Sequence, residues 1–448
     1  MTTLADIAQS AVALARELGA TDSECTISEG SSFETVVRMG EVENIKDAGS
    51  RAAGIRVLRG QRAGSAYTSD LSTEGIGHMV RSAIEIAAIA SEDPMAGLPE
   101  DSEFGKLEGD LGLYHEDTVQ LPAAERIEKA RVAEKTALEA DPRITNSEGG
   151  SFDCSSGRRV FANSRGFLGE YRYASCSLTA QPVAKENGAM ERDYWSSAAR
   201  SLEHLESPEE VGKRAAARVL RRLNPRKVAT QKCPVIFEQR VARSIVNNIF
   251  EAVNGGSVYR KSSFLAGKLG EKVAHECVTV IDDATIPGLF GTSPFDDEGV
   301  ASRRTVVIEN GVLKSYLLNC YTARKLGLKT TGNASRGVAG NAAVGHGNLY
   351  IDKGAQSPEE LITGVKAGLY VTELIGHGVN ILTGDYSRGA FGLWIENGEL
   401  TFPVAEVTIA GNLRDMLLSL EATGKDLEFR GSVASPTLLI REMTLSGQ

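Results

Sequence analysis

Histidine is the side chain most often used to hold a catalytic zinc ion, and this chain spaces its histidines poorly for that purpose. There are six in 448 residues, namely His78, His115, His204, His275, His346 and His377. A zinc peptidase usually places two histidines about one turn apart on a helix, so that both rings reach one ion. No two of these six are that close, and the spacing therefore argues against a metal site of the common helical kind.

The nearest approach to a ligand cluster is His275-Glu276-Cys277. We interpret residues 272–281 as a strand, in which neighbouring side chains point to opposite faces, and this favours a structural role for the cluster. His346 and His377 each lie between glycines in loops, where a ring is able to reach a ligand. A peptidase that binds its own metal through His275, Cys277 or His346 therefore remains an alternative.

Two segments of the form Gly-x-x-Ser-Arg-Gly, at residues 332–337 and 384–389, are the best candidates for contacting a polar chain. Glycine on both sides allows close backbone approach, and an arginine fork grips a carbonyl or a carboxylate. The other interpretation of Arg388 is an internal salt bridge with Asp385 or Glu396. The candidate substrate-binding residues are Ser335, Arg336, His377, Ser387 and Arg388.

The common catalytic signatures are missing from the sequence. No Gly-x-Ser-x-Gly nucleophile elbow occurs, Gly267-Lys268 lacks the rest of a phosphate loop, and Gly376-His377-Gly378 does not continue as a dinucleotide fingerprint. We therefore assign no catalytic residue to this chain.

Composition excludes several classes of protein. A net charge of −10 without a cluster of basic residues argues against a nucleic-acid partner held by phosphate contacts. The apolar runs are shorter than the roughly 20 residues of a membrane helix, and the first residues lack the pattern of a signal peptide. Six scattered cysteines without a Cys-x-x-Cys pair are typical of reduced thiols in the cytoplasm.

Chain length and patterning predict an α+β protein of two parts, residues 1–225 and 226–448. In the first part, residues 28–34 (Ser-Glu-Gly-Ser-Ser-Phe-Glu) and 147–153 (Ser-Glu-Gly-Gly-Ser-Phe-Asp) match at five positions, and each follows a predicted helix. We interpret this as an internal duplication of helix and strands. Between the copies, residues 91–120 carry nine carboxylates and one lysine, which predicts a solvated excursion or linker.

The second part is predicted to be a β-rich domain with few helices. Residues 384–412 form a strand, an Asn397-Gly398 turn suited to type I′ geometry, and a returning strand with an edge or bulge at Pro403. Residues 305–318 repeat the hairpin around Asn310-Gly311. A helix over residues 239–253 has Ile245, Ile249 and Val253 at helical spacing.

Several long motifs together resemble the PmbA, or TldE, branch of the TldD/PmbA peptidase family, which includes modulators of DNA gyrase. The resemblance covers the second half closely and the first half more loosely. It is carried by residues 259–265, 293–299, 321–328, 376–390, 394–398 and 409–413.

The resemblance implies a cytoplasmic heterodimer that encloses a chamber and hydrolyses unfolded peptides there. It implies that a TldD-like partner binds zinc with a His-Glu-x-x-x-His helix, and that the corresponding residues here are Asn247, Asn248 and Ala252. Alanine cannot ligate a metal and an asparagine amide is a poor zinc ligand, so we expect no cofactor in this chain. A homodimer in isolation, or a non-enzymatic peptide-binding or regulatory module, is the remaining alternative.

Overall fold

The computed structural model describes residues 3–447 and has the α+β architecture predicted from the sequence. The α-helices of this part of the chain are Leu4–Glu17 (α1), Thr73–Ile89 (α2), Glu116–Gln120 (α3), Ala123–Glu139 (α4), Pro208–Leu220 (α5), Gln239–Val253 (α6), Gly255–Tyr259 (α7), Cys320–Leu326 (α8), Pro358–Thr363 (α9) and Leu413–Leu418 (α10). Short 3₁₀ turns lie at Asp101–Glu103 and Leu202–His204.

The strands are Asp22–Arg38 (β1), Glu41–Arg59 (β2), Arg62–Thr68 (β3), Ile144–Asn163 (β4), Leu168–Glu186 (β5), Ala189–Arg192 (β6), Trp195–Ala199 (β7), Gln231–Phe237 (β8), Val280–Asp283 (β9), Arg304–Glu309 (β10), Val312–Leu313 (β11), Ala334–Ser335 (β12), Ala343–Val344 (β13), Leu349–Ile351 (β14), Ala367–Ile375 (β15), Asp385–Glu396 (β16), Glu399–Asn412 (β17), Leu420–Thr423 (β18), Val433–Ala434 (β19) and Leu438–Ser446 (β20).

The N-terminal half is one antiparallel sheet in the order β3-β2-β1-β4-β5-β6, with β7 also on β5. Its element order repeats, because a helix, a long hairpin, short strands and a second helix occur twice. The two copies meet where β1 pairs with β4, and Glu34 lies directly opposite Asp153. These are equivalent positions of the two matching heptads, so a local pseudo-twofold axis passes through this pair.

Each copy covers its half of the sheet with its own helices. Apolar residues of α1 and α2 form one core with β1 and β2, including Ile27 and Val80. Those of α4 and α5 form a second core with β4 and β5, including Phe152 and Leu178. The helix starts are fixed locally: Ser72 caps α2, and Ser207 caps α5 just before Pro208.

The C-terminal half contains a sheet that closes on itself. Its order is β17-β16-β15-β8-β20, with β18 on the outer side of β20, and β17 also pairs with β20 through Thr408–Ala410 and Thr444–Ser446. Helix α6 packs into the core enclosed by these strands. A second sheet, β11-β10-β9-β14-β19, contributes to the same core.

The predicted hairpin at residues 384–412 is confirmed. Asn397 and Gly398 both have positive φ, at 51° and 82°, as a type I′ turn requires. Pro403 lies opposite Leu393, next to a shift in the β16–β17 register. Proline has no N–H to donate to the ladder, which fits an irregularity at this place.

Residues 91–120 differ from the linker that their charge predicted. Leu98 and Leu113 are buried, and backbone hydrogen bonds join Leu107 to Pro294 and Leu111 to Gly288. The Arg324 guanidinium donates to the carbonyl oxygens of Met95 and Leu98. The carboxylates remain at the surface while the apolar residues and the backbone fasten the segment to the second half.

Candidate functional site

Helix α6 carries Asn247, Asn248 and Ala252, the residues at which the resemblance implies a metal site. Its apolar positions Ile245, Ile249 and Val253 are at most 1% exposed and hold the helix against the C-terminal core. Its polar positions Arg240, Arg243, Ser244 and Asn247 follow the spacing i, i+3, i+4, i+7 and therefore share the opposite side. This polar stripe faces a cavity between the two halves of the chain.

The α6 residues do not fit a metal ion. Asn247 is exposed, whereas the methyl group of Ala252 is fully buried in the core. The Asn248 amide nitrogen is buried without a hydrogen-bond partner among the described residues, and it is a donor, not a metal ligand. Within residues 3–447 no group of three His, Cys, Asp or Glu side chains is arranged to hold an ion.

The interpretation of residues 272–281 as a strand is wrong for most of that segment, because β9 begins only at Val280. Residues 273–278 turn against Gly311 instead, with hydrogen bonds from the Val273 and Ala274 amides to the Gly311 carbonyl. In this turn His275 Nδ1 lies 3.2 Å from Cys277 Sγ. The two side chains therefore face each other, and burial raises the pKa of the Cys277 thiol.

His346 lies elsewhere, against α6. Its ring packs edge-on against Phe250 with centroids 4.9 Å apart, and its Nδ1 is 2.9 Å from the Gly347 carbonyl oxygen. It lines a small cavity of about 150 Å³ together with Ser335 and the buried Asp296. His275 and Cys277 are not among the residues lining this cavity, so the structure does not bring the three alternative ligands together there.

The cavity facing α6 has a volume of about 550 Å³ and is lined mostly by charged and polar side chains. The N-terminal half contributes residues from β4, β5, β6 and α5, and the C-terminal half contributes α6, β15 and β16. Its lining contains six arginines and three acids: Arg192, Arg218, Arg222, Arg240, Arg243, Arg388, Glu148, Asp193 and Glu373. Such a cavity suits an anionic or strongly polar ligand.

The two Ser-Arg pairs have different environments. Arg388, at the beginning of β16, lines the 550 Å³ cavity and forms no ion pair within the described residues, so it is not tied to Asp385 or Glu396. Arg336 is buried in an ion pair with Glu24, which also binds Arg56 at 2.9 Å. The Arg336 guanidinium is thus engaged inside the chain and is not free to contact a peptide.

A glycine near the Ser387-Arg388 pair, Gly378, allows close contact with the protein's own backbone and not with a ligand. The Ser387 amide donates to the Gly378 carbonyl at 2.7 Å, and a Cβ on Gly378 would lie 1.9 Å from the Ser387 carbonyl oxygen. The other edge of Ser387 pairs with Ala410 of β17. The backbone of Ser387 is therefore covered on both sides, while its side chain and that of His377 are exposed.

A second large cavity, of about 540 Å³, lies at the C-terminal end of α6. It is lined by Glu251 and Glu298 and by residues of the 91–97 segment. Burial raises the pKa of Glu298, and its Oε2 accepts a hydrogen bond from the Cys320 amide at 2.8 Å. Burial and the neighbouring Glu298 also raise the pKa of Asp296, the carboxylate of which accepts three backbone N–H bonds.

Family models match most of the chain in three consecutive segments. They are described as PmbA/TldA metallopeptidase domain 1 over residues 24–87, the central domain over residues 116–223, and the C-terminal domain over residues 230–447. The metalloprotease PmbA of Escherichia coli O157:H7 is 41% identical over 99% of this chain and 96% of its own length. The chain belongs to the PmbA/TldD family. A PmbA homolog of Haemophilus influenzae is 39% identical over 98% of this chain and 94% of its own length.

Solved structures of the family have the same fold. A Bacteroides thetaiotaomicron protein described as a modulator of DNA gyrase is 28% identical, with a TM-score of 0.92 over the whole of both chains. TldE of Thermococcus kodakarensis superposes with a TM-score of 0.88 at 23% identity, over 98% of this chain and 100% of that one. In the described part of this chain, no helix combines the length and apolar character needed to cross a bilayer.

Sequence reasoning missed the arginine-lined cavity. Its arginines come from β6, from α5 and the turn after it, from α6 and from β16, up to 196 positions apart, and a spacing argument does not connect such distant residues. One local signal was available, because Arg240, Arg243, Ser244 and Asn247 give α6 a polar stripe opposite its apolar one.

Proposed function

We propose that this chain is the metal-free subunit of a cytoplasmic metallopeptidase heterodimer that hydrolyses unfolded peptides in an enclosed chamber. A TldD-like subunit supplies the zinc ion and the hydrolytic chemistry, and this chain supplies peptide-binding surface. The observation that carries the proposal is the α6 site, where the family places its ligands and this chain has two amides and a buried methyl group.

Three further features support the proposal. The relatives with the highest identities above are metalloproteases, which supports a peptidase role, and the TldE neighbour supports a partnership of TldD and TldE type. All six cysteines are free thiols, which supports a reducing compartment. Within this chain, we propose Ser387 and Arg388 as peptide contacts, with Ser335 and His377 as further exposed polar candidates.

The test compares this chain alone, a TldD-like subunit from the same source alone, and their mixture. A fluorogenic unstructured peptide reports hydrolysis, and mass spectrometry of the metals reports zinc per chain. We expect a stable complex, zinc in the TldD-like subunit, and chelator-sensitive hydrolysis in the mixture. Hydrolysis by this chain alone that a chelator abolishes would overturn the proposal.

Matched variants separate the proposal from an independent metallopeptidase. In the mixture, His275→Ala, Cys277→Ser and His346→Ala are each expected to leave kcat/KM within about twofold of the wild type, since none of them takes part in the proposed chemistry. Loss of a metal ligand would instead lower the rate by orders of magnitude. Such a loss in any of the three would favour the independent enzyme.

A further inference from the structure

The three acids in the 550 Å³ cavity are already paired with three of its arginines. Arg192 contacts Glu148 at 2.7 Å, and Arg218 contacts Asp193 at 3.3 Å. Arg222 forms an ion pair with Glu373. Every carboxylate of the lining is therefore engaged, and half of the arginines have no acid left to them.

The remaining arginines are Arg240, Arg243 and Arg388. Within residues 3–447 none of them has a carboxylate at ion-pair distance. Arg240 lies over the rings of Tyr194 and Trp195, with its guanidinium carbon 4.8 and 4.6 Å from the two centroids. These rings hold its position without neutralising its charge. Burial lowers the pKa of Arg240, and the charge of Arg218 adds to this effect.

Unpartnered hydrogen-bond donors gather around the same place. In the described residues, Arg388 Nε and the Ser244 hydroxyl are buried without a partner, and both residues line the cavity. The Tyr386 hydroxyl is likewise buried and unpartnered; Tyr386 does not line the cavity, but it lies two residues before Arg388 on the same face of β16. The Arg388 Nε–H only donates and the two hydroxyls are able to donate, so a hydrogen-bond acceptor would satisfy all three groups.

We propose that this cavity binds a carboxylate group of an extended peptide, with Arg243 and Arg388 as its main contacts and Arg240 completing the positive field. The proposal deepens the proposed function, because it rests on the chain being a peptide-binding subunit. A planar carboxylate matches the guanidinium fork with two parallel hydrogen bonds. A carboxylate is also the anion that an unmodified peptide carries, which makes it the ligand consistent with the proposed function.

The carboxylate has two possible sources, the C-terminus of the peptide or an Asp or Glu side chain. Both present the same planar anion, and the cavity alone does not separate them. The test therefore uses three peptides: one with a C-terminal carboxylate, one with a side-chain carboxylate and one with neither.

The experiment measures fluorescence anisotropy of labelled, unstructured hexapeptides with the purified full chain. The first peptide has a free C-terminal carboxylate, the second is its C-terminal amide, and the third is the amide with one internal Glu. We expect at least one of the two carboxylate peptides to bind about tenfold more tightly than the neutral amide, as charge-assisted bonds imply. Whichever does so identifies the source.

Variants connect this preference to the arginines. The double variant Arg388→Gln and Arg243→Gln is expected to abolish the difference in affinity between the carboxylate peptide and the amide peptide. Arg243→Gln alone is expected to reduce this difference by about threefold. Arg243 is exposed, and the fold does not require it. Arg51→Gln, an exposed arginine on β2, is the charge-matched control and should retain the full difference. Thermal unfolding of each variant shows that it is folded.

Equal affinity of all three peptides for the wild type, or an unchanged preference in folded Arg243→Gln and double variants, would overturn this inference. Its failure is distinguishable from that of the proposed function, since binding is measured on this chain without a partner. A complex that hydrolyses peptides while this chain shows no carboxylate preference would refute the inference alone.

Discussion

The buried pair of Glu24 and Arg336 shows how a residue that sequence reasoning assigned to a ligand came to serve the fold. Both side chains are at most 3% exposed, and they join β1 of the N-terminal half to a loop of the C-terminal half. Burying a charge without a partner is far more costly than burying a hydrogen-bonded pair. Ser387-Arg388 has the same sequence form, but within residues 3–447 no carboxylate lies at ion-pair distance from the Arg388 guanidinium.

Removing one member of this pair should destabilise the protein strongly. Glu24→Gln leaves Arg336 buried without its counter-charge, and we expect a loss of about 3–5 kcal/mol in the free energy of unfolding, measured in urea. The control is Glu43→Gln, which breaks an exposed pair with Arg38 and should change little. An equal effect of the two variants would show that burial is not the cause.

The same pair predicts a pH dependence of stability. Burial acts to raise the pKa of Glu24, but the charges of Arg336 and Arg56 lower it further than burial raises it, so the net pKa lies below its ordinary value of 4.5. The stabilisation is therefore complete above about pH 4.5 and is lost as the pH falls through the lower folded value. Between about pH 3 and pH 6, we expect the free energy of unfolding to fall more steeply with decreasing pH in the wild type than in Glu24→Gln.

Introducing histidines into α6 should not create a metal site. Ala252→His places an imidazole where the methyl group is fully buried, and overpacking of this kind costs about 1–3 kcal/mol. Asn247→His, at an exposed position of the same helix, is the matched control and should be nearly neutral. Stoichiometric zinc in the Asn247→His and Ala252→His double variant, measured after dialysis, would contradict the prediction.

At the scale of elements, local patterns predicted the helices and hairpins well, because capping residues, apolar periodicity and Asn-Gly turns act over a few residues. Helix α6 has the predicted bounds. The same patterning predicts two short strands, at residues 25–28 and 33–38, and this is wrong: β1 runs unbroken from Asp22 to Arg38, since both of its edges are paired. A Cβ on Gly30 would lie 2.9 Å from the Ser156 carbonyl oxygen, so the close contact between β1 and β4 explains the glycine at this position.

The β16–β17 turn offers a test at this scale. Gly398 has φ of 82°, and a Cβ there would lie 2.8 Å from the Thr363 carbonyl oxygen. Gly398→Ala is expected to lower the free energy of unfolding by about 1–3 kcal/mol through backbone strain and the clash. Gly431→Ala, where a Cβ meets nothing within 4 Å, is the control for the substitution itself and should be nearly neutral in the same urea titration.

At the scale of the whole molecule, contacts between distant parts of the chain determine the role of residues 91–120 and the position of the arginine-lined cavity. Patterning predicted two parts, and the boundary at residue 225 stays a prediction. It gave no sign that residues 91–120 fasten one half to the other, because the charges of that segment dominate its pattern while Leu98, Leu113 and backbone hydrogen bonds do the packing. The arginine cavity was hidden for the same reason, since seven elements from both halves line it.

This attachment predicts a local effect of Arg324→Ala. The Arg324 guanidinium donates to carbonyls of Met95 and Leu98, so its removal should free the segment while leaving the two cores intact. We expect proteolytic cleavage near residues 91–100 to accelerate by about tenfold, because a charge-assisted hydrogen bond to the backbone is lost. Lys329→Ala, at an exposed position just beyond α8, should leave the cleavage rate as in the wild type.

The pairing of β17 with β20 limits how a peptide is able to bind to this sheet. Because the sheet closes, the backbone amide and carbonyl groups of β17 and β20 are hydrogen-bonded to each other along this pairing. Residues 376–378 occupy the edge of β16 beside Ser387, where a bound peptide would otherwise add as an extra strand. If a peptide binds here as proposed, its side chains and termini, and not its backbone, would make the contacts that hold it.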